Sequence, residues 1–190
     1  MDLAEEIAYA NGLDHFDDIK SLTYTFNVKR PDVTVSRTWH WDRQQRLVKM
    51  MTAEDTITYH QDSVTAELKP VDHRFINDQY WLLFPYHLVW DDSLTLTDHG
   101  LVASPIKGRQ LRKITVQYGQ AGYTPGDAYD IYIDGEFVIR EWAFRKGGQP
   151  EPSLITTWEN YRDIKGVRLA TMHRNKDKSF KLYFTNLILK

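Results

Sequence analysis

The chain is 190 residues long, has no cysteine, carries a formal net charge of −2, and is 42% hydrophobic and 13% aromatic. That length suits one domain with one core. The near-balanced charge gives no electrostatic reason to expect nucleic acid, and the absence of cysteine excludes disulfides, thiolate zinc sites and cysteine nucleophiles together.

In chain order, Asp2 to about Asn11 combines helix formers with an acidic first turn and Gly12 as a stop, which predicts a short helix. The period then changes to two. Leu22, Tyr24, Phe26 and Val28 alternate with polar residues, as do Val33, Val35, Trp39 and Trp41, and Arg30-Pro31-Asp32 between them reads as the turn of a hairpin. Shorter strands are expected at Arg46–Met51, Thr56–His60, Leu94–Thr97 and Leu111–Tyr118.

Pro70 to Trp90 breaks this pattern. Phe75, Ile76, Gln79, Tyr80, Leu82 and Leu83 recur at helical spacings, with Pro70 suited to a first turn, and predict a helix followed by an apolar loop. The run Tyr80 to Trp90 falls well short of the roughly 20 residues that a membrane-crossing helix needs.

The second half reads as a meander. Tyr129–Ile133 and Phe137–Phe144 flank Asp134-Gly135, where glycine would supply the positive φ of a tight primed turn. Leu154–Tyr161, Val167–Arg174 and Phe180–Leu189 follow, and Gly147 to Pro152 reads as a hairpin loop, not a domain linker. The cations Arg174, Lys176, Lys178 and Lys181, with Asp177 among them, fit a solvated turn. The expected fold class is α+β: an unclosed, curved antiparallel sheet of about ten or eleven strands wrapped around lid helices, over residues 1–190 as a single domain.

No catalytic signature emerges from the residue pattern. There is no nucleophile elbow, no phosphate-binding glycine loop and no histidine spacing suited to a metal, so neither cofactor nor metal is expected. Asp91, Asp92, Asp130 and Asp134 read as surface carboxylates. What stands out is the aromatic surplus. Tyr24, Phe26, Trp39, Trp41, Tyr80, Trp81, Phe84, Trp142, Phe144 and Trp158 are the candidate lining of an apolar cavity between curved sheet and helix.

The stretches Phe75-Ile76-Asn77-Asp78-Gln79-Tyr80-Trp81-Leu82-Leu83-Phe84-Pro85-Tyr86 and Thr124-Pro125-Gly126-Asp127-Ala128-Tyr129-Asp130-Ile131-Tyr132-Ile133-Asp134, with Trp142, resemble the LolA/LolB-like superfamily of bacterial outer-membrane lipoprotein-sorting proteins. The resemblance is densest over about residues 70 to 145. It implies a half-barrel with helical lids, a periplasmic setting, and a lipid or an acylated lipoprotein as partner. It also implies an export signal removed from this chain, since Met1-Asp2-Leu3-Ala4-Glu5-Glu6 has no basic, then apolar, leader. The carrier of that superfamily uses an arginine to hold its lid, and Arg37 and Arg46 are the candidates here by strand position. Two other readings stand beside the carrier: an envelope scaffold with a filled core acting through a protein partner, and a hydrolase or isomerase using an Asp72–His73 pair.

Overall fold

The computed structural model describes residues 1–190, and its strands follow the alternation of the sequence. Two short helices, α1 (Leu3–Ala10) and α2 (Leu13–Phe16), precede strands β1 (Ser21–Arg30), β2 (Val33–Asp42), β3 (Leu47–Met51) and β4 (Thr56–His60). The long helix α3 (Lys69–Trp90) leads to β5 (Leu94–Ala103), β6 (Gln110–Tyr118), β7 (Ala128–Ile133), β8 (Ile139–Arg145) and β9 (Leu154–Thr157). β10 (Glu159–Ile164), β11 (Val167–Arg174) and β12 (Lys181–Leu189) complete the chain.

These twelve strands form two antiparallel sheets, ordered β10-β11-β12-β1-β2-β3-β4 and β5-β6-β7-β8-β9. The expected strand Leu154–Tyr161 is one extended segment broken at Trp158, whose N–H bonds the Arg140 carbonyl at 2.8 Å. Its first half pairs with β8 and its second with β11, so the segment turns the corner from one sheet into the other. The result is a strongly curved, unclosed surface. α3 joins its two free edges, β4 and β5, and packs its apolar residues against both sheets.

α1 is a well-capped helix: the Asp2 carboxylate accepts from Glu5 N at 2.9 Å and the Glu5 side chain accepts from Asp2 N at 3.0 Å. It lies beside α3, with Ile7 in one cluster with Phe84 and Leu88. Gly12, at φ 90°, lets the α1–α2 junction lie against the β10–β11 turn, because a Cβ there would stand 2.1 Å from the Gly166 carbonyl oxygen.

Three readings of the sequence need correction. α3 does not give way to an apolar loop; it runs 22 residues, straight through Pro85. Every residue from Leu82 to Leu88 is buried, and burial on all sides both erases the helical periodicity and offsets the hydrogen bond that Pro85 removes. The β7–β8 turn is not a tight primed one. Its positive φ belongs to Phe137 and not to Gly135, and the Asp134 carboxylate holds the longer loop by accepting from Glu136 N and Val138 N. Finally, Asp130 is no surface carboxylate. It is 5% exposed, held between Thr115, Lys113 and Arg145, and those partners keep its acidity strong despite burial. Asp91 and Asp134 are likewise engaged, with His87 and Arg140 respectively.

Candidate functional site

The β1–β2 hairpin presents one ladder of paired side chains: Leu22–Trp41, Tyr24–Trp39, Phe26–Arg37, Val28–Val35 and Arg30–Val33. Its lower rungs lie under α3. Tyr24 and Trp39 are fully buried, and Trp39 meets Phe75 of the helix with ring centroids 5.3 Å apart. From the Phe26–Arg37 rung outward, where Arg37 reaches α3 through Asp78, the ladder becomes one wall of a cleft of about 1010 Å³.

The facing wall comes from β7 and β8. Tyr129 stacks between Trp142 and Phe144 at 5.0 and 5.2 Å, and Trp142 makes an edge contact with Trp81 of α3 at 4.6 Å. Ile76, Tyr80 and Trp81 of the helix, with Phe180 and Leu182 of the C-terminal hairpin, complete an apolar interior. The β6–β7 loop adds Tyr123, Thr124, Pro125 and Asp127 to the lining.

Of the ten aromatic residues singled out from sequence, Phe26, Tyr80, Trp81, Trp142 and Phe144 lie on this cleft. Tyr24, Trp39, Phe84 and Trp158 do not reach it, being buried in the packed body of the protein. Trp41 donates to Gln61 at 2.9 Å and packs on Phe75. Strand alternation places a residue on the concave face but does not say how far along that face the helix extends.

Three acidic residues fasten α3, and none was singled out from sequence as a fastener. Asp78, fully buried, accepts from Arg37 Nε at 2.5 Å, Arg37 Nη2 at 2.8 Å, Trp39 Nε1 at 2.8 Å and Asn77 Nδ2 at 3.1 Å. Burial pushes its carboxyl up from the ordinary range against the pull of these donors. Burial also works against the Arg37 guanidinium, but the bonds and charge of Asp78 more than reverse it and raise its pKa. The Arg37 guanidinium also lies over Phe26, 4.8 Å from the ring centroid. Arg37 is thus the strand arginine that meets the helix, whereas Arg46 pairs with Asp62 at the surface.

Asp72 accepts from Tyr59 of β4 at 2.8 Å and from Tyr123 of the β6–β7 loop, so the helix, the sheet and the loop meet at one carboxylate. Its partners are these phenols and not His73, whose ring meets that of Tyr123 at a tilt, with centroids 4.9 Å apart. The geometry of an Asp72–His73 acid–base pair is therefore not formed. Asp91 accepts from Tyr80 and, at 3.0 Å, from Tyr118, and lies 2.9 Å from His87 Nδ1. The sequence signal was available: carboxylates set among large apolar residues in and just after a helix call for buried donors.

Comparison with family models and with curated proteins finds no match to this sequence. Solved structures do match its shape. The LolA superfamily protein NE2245 from Nitrosomonas europaea superposes with a TM-score of 0.57 at 10% identity, over 100% of this chain and 94% of that one. A DUF1329 family protein from Desulfovibrio piger gives 0.54 at 9% identity, over 98% and 92%. A Vibrio parahaemolyticus domain named for outer membrane lipoprotein sorting gives 0.50 at 9% identity, over 98% and 93%. The chain has a LolA/LolB-like α+β fold, with antiparallel sheets that do not close into a barrel.

Proposed function

We propose that this protein is a non-enzymatic carrier that holds a lipid, or the acyl chains of a lipoprotein, between its curved sheet and α3. The observation behind this reading is the cleft: about 1010 Å³, walled by Phe26, Trp81, Tyr129, Trp142 and Phe144, and partly open to solvent. That volume lies at the upper end of the range for small-molecule pockets. Each methylene buried there would contribute about 0.8 kcal/mol, and rings without fixed polarity suit a flexible chain. The whole chain would act as one domain, and the setting implied by the LolA-like fold is the periplasm or the periplasmic face of the outer membrane.

The open cleft disfavours the alternative of a scaffold with a filled core, and the engagement of Asp72 by two tyrosines disfavours an acid–base enzyme. Native mass spectrometry of the purified protein, with mass analysis of its organic extract, tests the carrier. A co-purifying acyl lipid, absent from a folded Phe144→Asp variant, is the expected result; Phe144 is only partly buried, so the substitution leaves the packed core intact. An unshifted mass after incubation with acyl lipids would reject the reading in favour of a protein-binding scaffold.

A further inference from the structure

We propose that the cleft selects an anionic amphiphile, taking the acyl chain into its aromatic interior and the carboxylate or phosphate head at a cationic rim. The inference rests on the acyl-binding reading and adds the charge of the ligand. Its basis is an imbalance among the ionisable groups on the lining. Arg30, Arg37, Arg74 and Lys146 are present with a single carboxylate, Asp127, and with His73.

Arg37 is committed to Asp78, while Asp127 accepts from Gly147 N at 2.7 Å and keeps its negative charge, one carboxylate against the three remaining cations. Arg30, Arg74 and Lys146 make no ion pair anywhere in the protein, although most of its other arginines do. All three are exposed, and each comes from a different wall. Arg30 ends β1 on the last rung of the hairpin ladder, beyond Val28 and Val35. Arg74 stands one turn before Asp78 on α3. Lys146 follows β8 immediately after the partly buried Phe144 and Arg145.

Going outward, each wall therefore changes from apolar rings to an uncompensated cation. A chain lying along Phe26 and Phe144 would bring its head to that level. Cations grouped at the mouth of an apolar cleft focus their field on its opening, so an anionic head gains where a neutral one does not. The net charge of the protein is −2, so this rim is a local feature and not a reflection of overall charge.

The test uses three ligands sharing one oleoyl chain: oleate, oleoyl lysophosphatidylglycerol and monooleoylglycerol. Each displaces the neutral dye Nile red from the protein at low ionic strength and below the concentration at which the lipid aggregates. At least one anion is expected to bind about tenfold tighter than the neutral ester, and which one identifies the head as carboxylate or phosphate. The preference should shrink to about twofold in an Arg30→Gln/Arg74→Gln/Lys146→Gln variant, and in about 0.5 M salt, where the Debye length is a few ångströms. Equal binding of all three lipids, or a preference undiminished in the triple variant, would overturn the inference and leave the acyl carrier standing. Failure of all three to bind would overturn both.

Discussion

The two halves of α3 meet the same curved surface in opposite ways. From Leu82 to Leu88 the helix is buried on every side, with α1 across it and Phe84 in contact with Tyr129, Trp142 and Trp158. From Lys69 to Trp81 it keeps exposed Pro70, His73, Arg74 and Asn77, and beside it the cleft stays open. Both halves face aromatic strands, so ring content does not decide which half seals. The difference lies in what covers them. A second helix closes one end, whereas a loop tethered through Tyr123 and Asp72 lines the other. Apolar surface becomes core where a further layer arrives, and becomes a binding surface where it does not.

The sharpest way to break this contrast is to hollow out the sealed half. Phe84→Ala removes a fully buried ring with four aromatic neighbours and should cost about 3–5 kcal/mol, read as a shift of the urea midpoint. A loss below about 1 kcal/mol would mean that this half is not sealed.

Next in size is the ion pair that fastens the open half. Arg37→Ala strips the guanidinium from a fully buried Asp78, leaving the Trp39 and Asn77 donors in place, and should cost about 3 kcal/mol at neutral pH. The deficit should narrow as pH falls, because burial already favours the protonated carboxyl and the variant removes the charge opposing it. A deficit that does not change with pH would mean that the pair contributes packing alone.

The smallest effect per step lies beneath Trp81, where His173 is packed against Trp158 and Phe184 and approaches the Thr157 carbonyl at 3.2 Å. Burial lowers its pKa from 6.5 to about 3. The unfolded chain therefore gains a proton below 6.5 that the folded one refuses, and stability is lost as pH falls from 6.5 toward about 3. The slope should approach about 1.4 kcal/mol per pH unit, and His173→Gln should flatten it. Parallel stability profiles for the two proteins between these limits would show that His173 does not control the acid limb.

How much of this could be read from the sequence follows from what each pattern encodes. The β1–β2 hairpin was legible in full because period two fixes both faces, and Thr56–His60 appears with the expected ends. The bend at Trp158 was not, since a strand that changes sheets keeps its alternation on both sides. Phe26 and Trp39 read identically on their strands and part only in the fold, where Trp39 packs on Phe75 while Phe26 lines the cleft. The rim escaped notice for a different reason. Arg30, Arg74 and Lys146 are far apart in sequence, and only the fold reveals which cations lack partners.

The seven-stranded sheet places β1 next to β12, pairing Leu22 with Leu189, one residue from the end of the chain. All ten other strands lie between these partners in sequence, so the larger sheet cannot close around its core until β12 has been synthesised. Contacts of such long sequence separation also slow folding intrinsically. Until then the emerging β1–β2 hairpin exposes Tyr24, Phe26, Trp39 and Trp41 without the strand that flanks it, and unpaired apolar edges of this kind are open to aggregation.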